Sequence, residues 1–127
     1  MNENVIKEAQ TLRTKFVWLA EAKEDSVKTK IQSWKSAKIA QRRDYTTVSI
    51  TSITTQIEGR WSVFSSSNLS IVEELNKVMS QNFNLKDKYL YVTVTTSRAN
   101  SSFLLSPDSV AFLARQSFGI SFESYLL

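Results

Sequence analysis

The chain has 127 residues and a formal net charge of +4, and its length is that of one domain. It contains no Cys and no His, which excludes thiol chemistry, Ser–His–Asp catalysis, disulfide bonds and zinc sites built on those residues. Its two glycines, Gly59 and Gly119, are too far apart to form a glycine-rich phosphate-binding loop. We therefore expect a protein that is not an enzyme and that uses no cofactor or metal.

The first thirty residues mix acidic and basic side chains without an apolar run, so we see no secretory signal. The longest uncharged stretches, residues 45–57 and 61–72, are shorter than the roughly 18 apolar residues that a membrane-spanning helix needs. We expect a cytoplasmic protein of bacterial or phage origin that has no membrane partner.

Positive charge is concentrated at the front of the chain. Residues 1–44 contain ten basic and six acidic side chains, whereas residues 45–127 contain six of each. Residues 26–43 carry six cations and no acid, and on one continuous helix Lys28, Lys35 and Arg42 would form a stripe. Such a stripe can follow a phosphate backbone or an acidic protein surface, although a solvated helix face is the simpler interpretation. The candidate binding residues are Lys28, Lys30, Lys35, Lys38, Arg42 and Arg43.

No Gly or Pro interrupts residues 3–43, and apolar side chains recur there at three- and four-residue steps. This spacing predicts an N-terminal helical arm over residues 1–44, with a break near residues 23–26. A strand over residues 15–22 is the alternative, because Phe16, Trp18 and Ala20 also recur at every second position. Ile6, Val17 and Trp18 lie off the apolar helix face and have no obvious partner in a monomer, so we expect them to mediate self-association.

Residues 45–127 show strand and helix patterns in turn. The β-branched residues of 46–57 predict a strand, and residues 58–59 predict a tight turn into a second strand over 60–64. Helical spacing follows over 69–83, strong alternation over 89–98, and a short strand over 103–105. Ser106 and Pro107 form a strong helix start, Gly119 is expected to end that helix in a left-handed cap, and residues 120–125 form a last strand.

These elements predict a single α+β domain over residues 1–127, composed of the basic helical arm (1–44) and an α+β core (45–127). We expect a mostly antiparallel sheet of four to five strands with helices on one face. A ferredoxin-like β-α-β-β-α-β succession within the core accounts for the order of its elements.

Three segments of the second half carry a family resemblance: Gly-Arg-Trp-Ser-Val-Phe-Ser-Ser at 59–66, Leu-Ser-Pro-Asp-Ser-Val-Ala-Phe-Leu-Ala at 105–114, and Ile-Ser-Phe-Glu-Ser-Tyr at 120–125. Over about residues 57–127 the chain resembles a family of small bacterial domains of unknown function. These domains have a Gly-x-Trp-Ser-like element and a C-terminal Leu-Ser-Pro helix followed by a strand ending in Tyr. The resemblance implies an α+β fold and brings no established activity, and the charged, glycine-free N-terminal part departs from it.

Two functions from different classes fit these observations. The first is a non-enzymatic interaction module that binds a protein partner, of the accessory, immunity or antitoxin kind, or a second copy of itself. The alternative is nucleic-acid binding through the basic helix over 26–43. Trp61, Tyr89, Tyr91 and Tyr125 could also form a base-stacking platform on the sheet, but cross-strand packing is the interpretation we favour.

Overall fold

The computed structural model describes residues 10–52, 55–57, 60–62, 66–96 and 105–126. Their elements are β1 (Gln10–Ala20), α1 (Glu24–Ile31), β2 (Lys38–Gln41), β3 (Thr46–Ser52), β4 (Thr55–Ile57), β5 (Arg60–Ser62), α2 (Ser66–Asn82), β6 (Leu85–Thr96), α3 (Pro107–Arg115) and β7 (Gly119–Leu126). The α+β class expected from the sequence is confirmed. No described helix is long and apolar enough to cross a membrane.

Five of the strands form one mixed sheet in the order β2-β3-β1-β6-β7. Neighbouring strands are antiparallel except β6 and β7, which are parallel and are connected through α3. The expectation of a mostly antiparallel sheet of four to five strands is therefore confirmed. β4 and β5 form a separate two-stranded hairpin.

The ferredoxin-like succession expected within residues 45–127 is not confirmed, because β6 and β7 are direct neighbours in the sheet. Apart from the β4–β5 pair, a β-α-β-β-α-β succession runs instead from β1 to β6, with β3 inserted between β1 and β2 and with β6 on the other side of β1. β1 thus lies in the middle of the sheet, so residues 10–20 belong to the core and not to an arm. Residues 103–104 of the short strand expected over 103–105 lie outside the described residues.

The helix predicted for the N-terminal arm is wrong for residues 10–20, and the alternative, a strand over residues 15–22, is confirmed for residues 15–20. Phe16 and Trp18 are completely buried on one side of β1, whereas Lys15, between β3 and β6, is exposed on the other. On a helix, residues two apart do not share a face, so Phe16 and Trp18 could not both enter one core. The local sequence fits a helical and a strand periodicity almost equally well. Hydrogen bonding to β3 and β6 selects the strand.

The long basic helix expected over residues 26–43 is also wrong. α1 ends at Ile31, the N–H of Trp34 bonds to the carbonyl of Ile31 at 2.9 Å, and β2 begins at Lys38. In β2, Ile39 pairs with Val48 and packs against the core. An extended chain allows this apolar contact together with hydrogen bonding to β3, and a continued helix would lose both.

The helices α1, α2 and α3 pack on one face of the sheet and form a single core with it, as expected. Phe118, which follows α3, makes edge-to-face contacts with Phe16 and Trp18, at 5.0 and 5.6 Å between ring centroids. No described helix covers the opposite face, which carries Lys15, and we call it the open face.

The C-terminal helix begins as expected and ends differently. The Ser106 side chain caps α3 and Pro107 is its first residue. The expected left-handed cap at Gly119 is wrong, because Ser117 and not Gly119 has a positive φ (58°), and Gly119 begins β7. The turn at Ser117 directs the next side chain, Phe118, into the core before the last strand begins.

Candidate functional site

Alternate residues of the five sheet strands form the open face, and the pairing register arranges them in rows. One row runs from Thr51 on β3 through Lys15 on β1 and Tyr91 on β6 to Ser121 on β7. The two flanking rows consist of Lys38, Ser49, Val17 and Tyr89, and of Arg13, Thr93 and Glu123. Basic, aromatic and hydroxyl groups therefore alternate across the surface.

Two adjoining depressions cross the open face, and together we call them the trough. Their volumes are about 620 Å³ and about 230 Å³, and Lys15 and Tyr91 line both. A concave surface of this size accommodates part of a polymeric ligand or a small molecule. The basic, aromatic and acidic residues that line the trough are Arg13, Lys15, Lys38, Arg42, Tyr45, Tyr89, Tyr91 and Glu123.

The trough carries an excess of positive charge. Glu123 is the one acid among four cations, and these are Arg13, Lys15, Lys38 and Arg42. Among the described residues the only ion pair joins Lys28 to Glu24, so none of the four cations lies within 4.0 Å of a described carboxylate. Cations grouped on one concave surface create a positive potential that attracts anionic ligands.

Two tyrosines hold Glu123 at the β7 end of the trough. The Tyr125 hydroxyl donates a hydrogen bond to Glu123 Oε2, and the Tyr91 hydroxyl also bonds to this carboxylate. These bonds, that of Tyr125 first, hold the pKa of Glu123 below its ordinary value because they stabilise the ionised form. The same hydrogen bond raises the pKa of Tyr125 to about 12. Glu123 is therefore a fixed negative charge at neutral pH.

Basic side chains contact two of the trough's aromatic rings. Lys15 Nζ lies 5.6 Å from the ring centroid of Tyr91, and Lys86 Nζ lies 5.1 Å from that of Tyr45. Both distances are within the range of cation–π attraction. Burial raises the pKa of Tyr89, which therefore keeps its phenolic proton as a hydrogen-bond donor at neutral pH.

The structure separates the six cations that the sequence placed on one basic helix. Lys38 and Arg42 line the trough. The expected stripe of cations seven residues apart does not form, because α1 ends at Ile31. The remaining four lie outside the trough, two on α1 and two in turns, and they are Lys28, Lys30, Lys35 and Arg43.

Arg13 and Lys15 are site residues that the helical interpretation missed. The signal that could have found them is the recurrence of Phe16, Trp18 and Ala20 at every second position after Lys15. Tyr89 and Tyr91 pair across strands with β1 residues, as the favoured interpretation expects, and they also line the trough.

Two of the residues expected to mediate self-association are buried in the monomer. Trp18 is 0% exposed, and its indole Nε1–H donates a hydrogen bond to Asn76 Oδ1 at 3.0 Å. Its ring is therefore buried in the core and its polar group is hydrogen-bonded. Val17 is 6% exposed and forms part of the trough. The prediction that these side chains lack a partner in a monomer is therefore wrong, and Ile6 lies outside the described residues.

Within the described part of the chain, no group of three or more acidic side chains is placed to hold a metal ion. No protein-family model, no curated protein and no solved structure matches the chain. The chemistry of the open face is therefore the basis on which a function can be assigned.

Proposed function

We propose that this chain is a non-enzymatic binding module and that its trough binds single-stranded nucleic acid. The observation that carries the proposal is the set of four trough cations, which lie among tyrosines and have no described carboxylate within 4.0 Å. Lys and Arg side chains supply the sequence-independent attraction to phosphates, and aromatic side chains offer surfaces on which bases stack.

The shape of the site favours a single strand over a duplex. The trough is a shallow surface of a sheet, and among the described elements no helix projects from the open face to enter a groove. Lys15 and Lys38 lie two strands apart, a separation of roughly 10 Å between strand axes. A flexible single strand can bring its phosphates to both cations while its bases turn toward Tyr89 and Tyr91.

Glu123 indicates how such a strand would be oriented. Its carboxylate lies at the β7 end of the trough, whereas Lys15 and Lys38 lie on β1 and β2. A fixed carboxylate repels phosphate and accepts hydrogen bonds from the amino groups of bases, as acidic residues do with cytosine. We therefore place the phosphates along β1 and β2 and the bases toward β6 and β7.

Charge reversal tests the proposal. Lys15→Glu and Lys38→Glu reverse charges in the trough, and Lys30→Glu on α1 makes the same change in net charge outside it. We expect each trough variant to weaken binding of a single-stranded oligonucleotide at low salt by about tenfold or more, and the α1 variant by less than about twofold. Fluorescence anisotropy measures the affinities and circular dichroism checks the folding. Equal losses in all three folded variants would overturn the proposal.

Protein–protein interaction is the second candidate function, either as self-association or with a partner of the accessory or immunity kind. It is favoured by β7, where Ile120 and Phe122 are 52% and 47% exposed. We also propose that residues 57–127 belong to the bacterial domain family that they resemble. We propose a cytoplasmic location for the protein.

A further inference from the structure

The two edges of the five-stranded sheet differ in how well they are protected. β2 is four residues long, begins with Lys38 and is followed by two arginines, and short basic edge strands resist pairing with another chain. β7 is eight residues long and contains no Lys, Arg or Pro. Among the described strands it is bonded by β6 alone, so its outer edge presents backbone N–H and C=O groups to a further strand.

The side chains of β7 are only partly covered on the helix-bearing face. Ile120 and Phe122 are the register partners of Leu90 and Val92 on β6. Leu90 and Val92 are 0% exposed, whereas Ile120 and Phe122 remain about half exposed. The helical layer therefore covers Leu90 and Val92 completely and their partners on β7 incompletely. A further strand beside β7 would bury more of this apolar surface.

Gly119, the first residue of β7, pairs with Tyr89 on β6 within one copy, and its other side faces no described strand. Its φ is not in the left-handed region, and an added Cβ would meet its nearest neighbours, around Lys88 and Tyr89, only at 3.8–3.9 Å. A glycine in a strand leaves room for a large side chain on the strand that pairs with it, and aromatic residues fill such positions.

We infer that two copies of this chain associate by antiparallel pairing of their β7 strands, with the two-fold axis at Phe122. A two-fold axis perpendicular to the sheet keeps the helices of both copies on one side. In this register Tyr125 of one copy lies opposite Gly119 of the other, whose missing side chain leaves room beside the Tyr125 ring while the Tyr125 hydroxyl stays bonded to Glu123.

The charge on β7 favours this register over the one with its axis at Glu123. With the axis at Phe122, Glu123 lies opposite Ser121 of the other copy, a carboxylate beside a hydroxyl. With the axis at Glu123, two carboxylates would lie directly opposite each other, which is destabilising. The same strand therefore complements itself in shape and in charge, and a second copy is the occupant that fits it.

The association stops at two copies, because each copy uses its β7 edge for pairing. The basic β2 edge of each copy then lies at the outside of the dimer. One strand pair with its flanking side chains is a small interface, and we expect a dissociation constant on the order of micromolar. This inference rests on the second candidate function, self-association, and does not depend on nucleic-acid binding.

The absence of cysteine from the chain makes single-cysteine variants a direct test of the register. Phe122→Cys places two thiols on opposed residues, whose Cα atoms are about 4.5–5.5 Å apart, within the range that a disulfide spans. Ser124→Cys is the matched control on the same face, and its two copies lie roughly 13 Å apart in this register. We expect an oxidised dimer from the first variant and not from the second.

Sedimentation of the reduced proteins, from micromolar to millimolar concentration, supplies the equilibrium test. We expect the unaltered chain to dimerise, Ile120→Lys to stay monomeric, and Ile71→Lys, on the α2 helix that packs against α1 and β1, to dimerise normally. A monomer at every concentration overturns self-association as a whole. A dimer that survives Ile120→Lys, or that does not crosslink through Phe122→Cys, overturns β7 pairing and leaves self-association standing.

Discussion

Lys15 and Tyr91 face each other across the β1–β6 ladder, and the ammonium nitrogen of Lys15 lies 5.6 Å from the centroid of the Tyr91 ring. Both residues line both depressions of the open face, so this pair stands at the centre of the trough. The ring holds the Lys15 side chain on the sheet surface while the residue remains exposed. A cation suited to phosphate and a ring suited to a base therefore lie on adjacent strands.

The Tyr91 ring, and not its hydroxyl, is expected to support oligonucleotide binding. Tyr91→Ala removes the stacking surface and the contact with Lys15, whereas Tyr91→Phe removes only the hydrogen bond to Glu123. Because stacking on an aromatic side chain contributes about 1–3 kcal/mol per base, we expect the alanine variant to bind about tenfold more weakly. Anisotropy at fixed salt measures both affinities, and equal losses in the two variants would exclude stacking on this ring.

Removal of the Tyr125 hydroxyl is expected to raise the pKa of Glu123 toward its ordinary value. Tyr125 is the main cause of the lowered pKa of Glu123, so Tyr125→Phe should reverse most of the shift, and Tyr91 should maintain the rest. Carboxyl chemical shifts followed by NMR across the acid range measure this pKa. Tyr45→Phe, at another part of the trough, is the control, and an unchanged Glu123 pKa in the Tyr125 variant would contradict the assignment.

The Glu123–Tyr125 hydrogen bond makes the stability of the folded protein depend on pH at both acidic and alkaline pH. The pKa of Glu123 is lower in the folded state than in the unfolded state. Its carboxylate therefore stabilises the folded protein above the unfolded-state pKa, and this stabilisation is lost as the pH falls through the folded-state pKa. Because the pKa of Tyr125 is raised from 10.0 to about 12, its contribution is present below pH 10.0 and is lost as the pH rises toward 12. Thermal melts of Tyr125→Phe should show a weaker loss of stability at both extremes than the unaltered chain does.

Asn76 is expected to be the most sensitive polar position of the core. Its Oδ1 accepts hydrogen bonds from Trp18 Nε1 at 3.0 Å and from Lys88 Nζ at 3.1 Å, and its Nδ2 donates to Gln116 Oε1 at 3.0 Å. Asn76→Leu removes the acceptor of two donors and should lower the free energy of unfolding by about 2–3 kcal/mol. Asn82→Leu, exposed on the same helix, should change it by less than about 0.5 kcal/mol. Denaturant titration that finds the two variants equal would contradict this role.

The cap of α3 supplies a smaller prediction. Ser106 Oγ accepts a hydrogen bond from the backbone N–H of Ser109 at 3.2 Å. Ser106→Ala should therefore cost about 1 kcal/mol of stability, and Ser80→Ala, at an exposed position on α2, should cost much less. Thermal unfolding of both variants compares them, and a neutral Ser106→Ala would show that the cap does not stabilise the helix.

The elements that could be predicted are those whose local pattern allows one interpretation. The helical spacing of 69–83 became α2, the alternation of 89–98 became β6 as far as Thr96, and Ser106 with Pro107 started α3. β1 could not be fixed in this way, because its apolar residues suit a helix and a strand alike. The secondary structure of residues 10–20 depends on pairing with β3 and β6. Such long-range contacts cannot be inferred from a short stretch of sequence.

The trough was predictable only in part, for the same reason. Lys38 and Arg42 belonged to the basic segment that charge alone singles out. Arg13 and Lys15 become neighbours of Tyr91 only when β1 is extended and paired with β6. Assigning β1 as a helix therefore leaves two of the four trough cations unrecognised as site residues, although their charges are evident from the sequence.

The salt dependence of oligonucleotide binding tests the central claim most directly. If the four trough cations contact phosphates of a single strand, the logarithm of the binding constant should fall with the logarithm of salt concentration at a slope of about −2.8. Lys15→Ala should make the slope shallower by about 0.7, and Lys30→Ala should leave it unchanged. No binding at low salt, or the same slope in Lys15→Ala as in the unaltered chain, would contradict nucleic-acid binding by the trough.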